Sequence, residues 1–110
     1  MATLHPALPT IFGALADPTR LAVVERLLNG PASVSELAEP FTMAAPSFLK
    51  HLKVLEQAGV VTSEKTGRIR TVSLAPETMR SVDDWMQRHR RQWEVRLDDL
   101  AAFLDKENKA

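Results

Sequence analysis

The chain has 110 residues, of which 45% are hydrophobic and 25% charged, with fourteen Lys and Arg against fourteen Asp and Glu. That length allows one small domain with little core to spare, and the composition is globular. Cysteine is absent, which excludes disulfides, thiolate metal sites and thiol redox sensing and suits a reducing cytoplasm. No apolar run reaches membrane-spanning length, and the opening MATLHPALPT, broken by prolines, does not read as a signal peptide. Pro9 starts a short first helix whose apolar stripe is Ile11, Phe12 and Leu15. Asp17-Pro18 opens a second helix, with Asp17 as N-cap and Pro18 at the first helical position. Leu21, Val24, Leu27 and Leu28 fall at helical spacing there, and Asn29-Gly30-Pro31 ends the helix.

Ser33-Val34-Ser35-Glu36 is a capping box that predicts a helix of under two turns, with Val34, Leu37 and Ala38 inward. Pro40-Phe41-Thr42 makes the turn. The next helix spans about 45–58, with Phe48, Leu52 and Leu55 on one face and Gly59 at its C-terminus. Val60-Val61-Thr62 and Ile69 to Leu74 read as strands around a turn at Thr66-Gly67. After Pro76 a long helix runs to about Asp105, with a frayed tail from Lys106. Val82, Met86, His89, Trp93, Leu97, Leu100 and Leu104 recur along it at steps of three or four. So long a stripe exceeds what this domain's short helices can cover, so a partner helix is expected.

The fold class that follows is mostly α with a small β-hairpin: a single winged helix-turn-helix domain over 1–110. The helix-turn-helix lies at 33–58 and the wing at 60–74. The net charge is zero, which argues against a nucleic-acid partner, but the distribution argues for one. Residues 41–74 carry Lys50, Lys53, Lys65, Arg68 and Arg70 against Glu56 and Glu64, five cations to two acids. A cationic stripe on a neutral body fits a phosphate backbone.

Four motifs resemble the ArsR/SmtB family of bacterial winged-helix transcriptional regulators. They are Ala14-Leu-Ala-Asp-Pro-Thr-Arg20-Leu, Ser35-Glu-Leu-Ala38, the run from Lys50 through His51, Leu52 and Lys53 to Val61, and the wing Gly67-Arg68-x-Arg70. The resemblance covers about residues 8–105, with the motifs in the right order and spacing. It implies a recognition helix at about 45–58, a β-wing at about 60–74, and a symmetric homodimer through helices at 8–15 and 76–105. Ile11, Phe12, Leu15, Val82, Met86, Trp93, Leu97, Leu100 and Leu104 are the expected interface residues.

Two departures stand out. Family members that hold metal beside the short helix use thiols, and Val34 to Ala38 contains none. Members that hold it on the last helix use paired histidines, whereas this helix has Asp83, Asp84 and a lone His89, with Met86 where a histidine is needed. The chain therefore looks like the members without a metal site, and no metal or cofactor is expected. A small-molecule effector is allowed but not indicated. The recognition helix also departs: Ala44 removes a side-chain cap, costing about 1 kcal/mol unless Thr42 substitutes, and Leu49 replaces a usual serine. Leu49 either touches a thymine methyl or packs inward.

Ser47, Leu49, Lys50, His51 and Lys53 on the recognition helix and Arg68 and Arg70 on the wing are the expected DNA contacts. The competing reading is a solvated helix face for Lys50 and His51, a plain surface serine for Ser47, and ordinary cross-strand charge for Arg68 and Arg70. Arg20 is expected to pair with Glu25 or Glu36, His89 to be an interface histidine, and Trp85 to make dimer or core contacts. No nucleophile is set against a histidine at catalytic spacing, and no glycine-rich phosphate loop is present, so an enzyme is not expected. The reading is a sequence-specific DNA-binding regulator, a repressor that occupies a palindromic promoter site as a homodimer on double-stranded DNA. The rival is a winged-helix protein-interaction module, which would lack the positive stripe.

Overall fold

The computed structural model describes residues 7–109. His5 and most of the N-terminal segment lie outside them. Among the described residues the order is α1 (Leu8–Leu15), α2 (Pro18–Leu27), β1 (Ala32–Ser33), α3 (Val34–Ala38), α4 (Ala45–Gln57), β2 (Val61–Thr66), β3 (Ile69–Leu74) and α5 (Pro76–Lys109). Residues up to Met79 form one compact unit, and those from Arg80 onward form another.

Local chemistry sets the helix starts. The Asp17 carboxylate accepts the backbone N–H groups of Thr19 and Arg20 at 2.9 and 3.1 Å, capping α2 ahead of Pro18. The Ser33 hydroxyl accepts from the Glu36 N–H, and Glu36 reaches back to the Ser33 N–H at 2.8 Å, closing the capping box on α3. Each bond holds its carboxyl below the ordinary carboxylate value. For Asp17 the leading cause is the Arg20 N–H, opposed by desolvation and helped by the Arg20 charge. For Glu36 it is the Ser33 N–H, then the Ser33 hydroxyl. At the other end of α4, Val60 N–H bonds the Leu55 carbonyl at 2.9 Å and Gly59 N–H bonds Glu56 at 3.0 Å. This is a Schellman cap, and it requires the positive φ of +77° at Gly59. The Thr78 hydroxyl donates to the Gly59 carbonyl and ties the first turn of α5 to that cap.

The core of the first unit gathers Ile11, Val23, Val24, Leu27, Leu37, Phe48, Leu52, Leu55, Val60 and Val72, all buried. Helix α2 packs on α1, α4 and β3, and α4 packs on β2. Several side chains depart from expectation. On α2 the periodicity predicts Leu21 and Leu28 inward, yet both are exposed and Val23 is buried in their place. Apolar residues make up half of that helix, so periodicity alone leaves the buried face open, and contact with α4 and β3 selects it. On α1, Ile11 is only 2% exposed within its own protomer, beside buried Leu8 and Ala14. It packs in the core of its own unit. Phe12 is the exposed member of that stripe, and Leu15 is half-buried.

The sheet has three strands, in order β1-β3-β2, all antiparallel. The third strand, β1, pairs Ala32 with Val72 and Ser33 with Thr71. Two residues are too short to carry a period, so β1 has no signature in sequence. Strand β2 runs to Thr66, past the expected end at Thr62. Thr66 pairs with Ile69, so the connecting residues are Gly67 and Arg68, and Gly67 has φ +64°. A glycine with positive φ at the first loop position suits a two-residue hairpin. The turn is thus one residue later than Thr66-Gly67, and Arg68 stands at its tip.

Helix α5 continues through Lys106 to Lys109 instead of ending near Asp105. Trp93, Leu97, Leu100, Phe103 and Leu104 are all more than half exposed on it. The rings of Trp85 and His89 lie 4.9 Å apart, and His89 Nδ1 is 3.0 Å from Gln92 Oε1. No helix among the described residues is long and apolar enough to cross a membrane.

Candidate nucleic-acid interface

Helix α4 carries one buried face, one outward face and two flanks, and each flank meets a different neighbour. Phe48, Leu52 and Leu55 point into the core. Phe41 in the preceding turn stacks on Phe48 with ring centroids 5.5 Å apart, which holds the α3–α4 connection against the helix. At 100° per residue Lys50 and Lys53 lie opposite that face, with Ser47 and Val54 beside them, all exposed. Ala44 is the N-cap, with extended φ and ψ but no side-chain bond, and Thr42 does not substitute. Pro46 in the first turn carries no N–H, so one of the donors a cap would serve is missing, which lessens the loss.

The flank toward the hairpin carries Leu49 and Glu56. Leu49 is 51% exposed, which decides against core packing. It lines an open groove of about 420 Å³ with Ser33, Val34, Ser35, Arg68, Ile69 and Arg70. Recognition helix, capping-box turn and wing therefore bound one surface. Arg70 is tethered there: its Nη1 donates to Ser63 Oγ at 3.1 Å, and Ser63 Oγ donates to Glu56 Oε2 at 3.0 Å. The wing is thus braced against α4 through side chains. Arg68, at the turn tip, stands exposed. Ile69, 59% exposed, lines the same groove as Leu49 and was not singled out by the sequence.

The second flank corrects the expected pairing of Arg20. His51 lies on the flank of α4 facing α2, half-buried, with Nδ1 3.1 Å from Arg20 Nη1 and 3.7 Å from Asp17 Oδ2. Its ring is turned towards Asp17 and Arg20 of its own fold. The reason is helical geometry: His51 lies 60° from buried Phe48 and on the opposite side from Leu49. Arg20 pairs with neither Glu25 nor Glu36. Its Nε donates to the Ala14 carbonyl at 2.6 Å, and Glu36 is engaged in its capping box. Among the described residues, no three His, Cys, Asp or Glu side chains gather as a metal site.

A family profile described as a helix-turn-helix domain matches residues 15–64. The chain is 37% identical over 94 residues to the HTH-type transcriptional regulator Rv2034 of Mycobacterium tuberculosis, covering 86% of this chain and 85% of that one. A crystallised ArsR family transcriptional regulator shares 49% identity and superposes with a TM-score of 0.73, over 83% of this chain and 95% of the other. The chain belongs to the ArsR/SmtB family of winged-helix transcriptional regulators. It is a DNA-binding transcriptional regulator, and helix-turn-helix members of this family bind double-stranded DNA and are not enzymes. The transcriptional repressor SdpR of Bacillus subtilis is a further relative, 32% identical over 69% of this chain and 84% of its own length. None of these relatives is named as a protein-interaction module.

Proposed function

We propose that this regulator is a repressor that occupies a palindromic promoter site as a homodimer in the cytoplasm. The observation that carries the DNA-facing part is the single surface on which α4 and the β2–β3 turn meet, with Leu49, Arg68, Ile69 and Arg70 around one groove. Ser47, Leu49 and Lys50 lie in the first two turns of α4 and are assigned to base edges. Lys53, one turn further on, is assigned to phosphate. Arg68 and Arg70 are assigned to the neighbouring groove or backbone. The resemblance to SdpR, named a repressor, supports the sign of regulation.

The dimer is assigned to α5 with Phe12 of α1. Met86, Trp93, Leu97, Leu100 and Leu104 form an exposed apolar stripe on α5, and a second copy of the same stripe is the simplest self-complementary cover. Val82, half-buried, marks its N-terminal end. Two copies would present two recognition helices to half-sites about 34 Å apart. The decisive experiment is binding to DNA from upstream of the protein's own gene across a salt series. Affinity should fall steeply with salt, as phosphate contacts require. Salt-independent binding, or none to any DNA, would overturn the reading.

A further inference from the structure

The Asp17–Arg20–His51 cluster is the most specific polar arrangement in the fold that the DNA-facing surface leaves unused. Asp17 Oδ2 already accepts two backbone N–H groups at the start of α2. Arg20 spans from the Ala14 carbonyl in the last turn of α1 to His51 Nδ1 on α4. A guanidinium has only donors, so Nδ1 must offer its lone pair to Arg20, and the ring proton belongs on Nε2. One side chain thereby joins the end of α1, the first turn of α2 and the recognition helix.

Elsewhere α4 is seated by Phe48, Leu52 and Leu55. Apolar contact is non-directional and leaves small rotations of the helix cheap. Base readout does not tolerate them, because bidentate and apolar contacts to base edges depend on where Ser47, Leu49 and Lys50 point. A directional bond on the flank of α4 supplies what the apolar seat lacks. On the other flank Glu56 is tied through Ser63 to Arg70.

We propose that Arg20 and His51 are positioning residues for DNA recognition: acting together, they fix the rotation of α4 on the α1–α2 platform and touch no DNA. The proposal rests on α4 being the reading helix. It separates from a contact role by its signature. Loss of a phosphate contact lowers the salt slope by about one unit, and loss of a base contact alters preference at one base pair. Loss of positioning lowers affinity for the chosen sequence and leaves random-sequence binding and its salt slope in place.

The test uses the full chain, a duplex selected by the wild-type protein from a random pool, and a random-sequence duplex. His51→Leu and Arg20→Ala should each lower the ratio of selected to random affinity by roughly tenfold, within the 1–3 kcal/mol of a lost base contact. The double variant should be no worse than Arg20→Ala alone, because His51→Leu removes a bond that Arg20→Ala has already removed. His51→Gln, which keeps an acceptor for Arg20, should stay close to wild type. Nitrogen NMR of the wild-type protein should show that the neutral ring carries its proton on Nε2, and this readout stands even where a variant folds poorly. A neutral ring with its proton on Nδ1, a lowered salt slope in His51→Leu, or parallel losses on both duplexes that track melting temperature would overturn the proposal. So would variants indistinguishable from wild type. A wild type that bound neither duplex would overturn the DNA reading together with it.

Discussion

Helices α4 and α5 are both amphipathic, yet their apolar faces have opposite fates. In α4, Phe48, Leu52 and Leu55 are at most 4% exposed, and the polar face looks outward. In α5, Trp93, Leu97 and Leu100 are 52%, 61% and 54% exposed. The thirteen residues of α4 fit between α1, α2 and β2. The thirty-four residues of α5 extend well past any length that this small fold can cover. The same periodicity thus marks a core in one helix and a surface in the other. An exposed apolar stripe of that length is the mark of an interaction surface.

That contrast can be broken most directly at its two ends. Leu55→Ala removes a side chain with no exposure and should cost about 2–5 kcal/mol, read as a shift in denaturant midpoint. Replacing Leu97 and Leu100 together with Glu should instead leave the first unit folded, shift sedimentation from dimer to monomer mass, and weaken palindrome binding far more than half-site binding. A loss of fold in that second variant at all concentrations would place the stripe in the protomer's own core. On the reading face, Ser47→Ala or Leu49→Ala should change base preference by roughly 1–3 kcal/mol per lost contact in a selection from random DNA. Arg68→Ala should weaken all sequences alike. A shift of preferred sequence in the wing variant, with none in the helix variants, would reverse those roles.

The smaller effects concern helix ends. Ala44→Ser should add a side-chain cap to α4 worth at most about 0.5–1 kcal/mol, visible as a higher melting temperature, by offering a second acceptor to the Ser47 N–H, which bonds only the Ala44 carbonyl at 3.0 Å. Acid should act through Asp17 and Glu36. Both carboxyls are held below their ordinary values, so their contribution is present above the usual carboxylate range and is lost as pH falls through the folded values. Below about pH 5 the wild type should lose stability more steeply than Glu36→Gln or Asp17→Asn. Parallel pH profiles for all three would show that these caps carry no linkage.

The start of α2 at Asp17-Pro18, the Ser33–Glu36 box, the Gly59 stop and the hairpin around Gly67 are all local. Each depends on bonds or dihedrals among residues within a few positions, so the amino-acid order alone determined them. The apolar triad of α4 was legible for the same reason. What only the tertiary structure decided is which neighbour each flank meets. Leu49 faces the wing and His51 faces Arg20, although they are two residues apart on one helix. The pairing of β1 with β3 and the burial of Val23 in place of Leu21 also depend on long-range neighbours. Periodicity reports that a side of a helix is apolar. It carries no information on which element arrives there, because burial is non-directional and the direction comes from the packing of the whole chain.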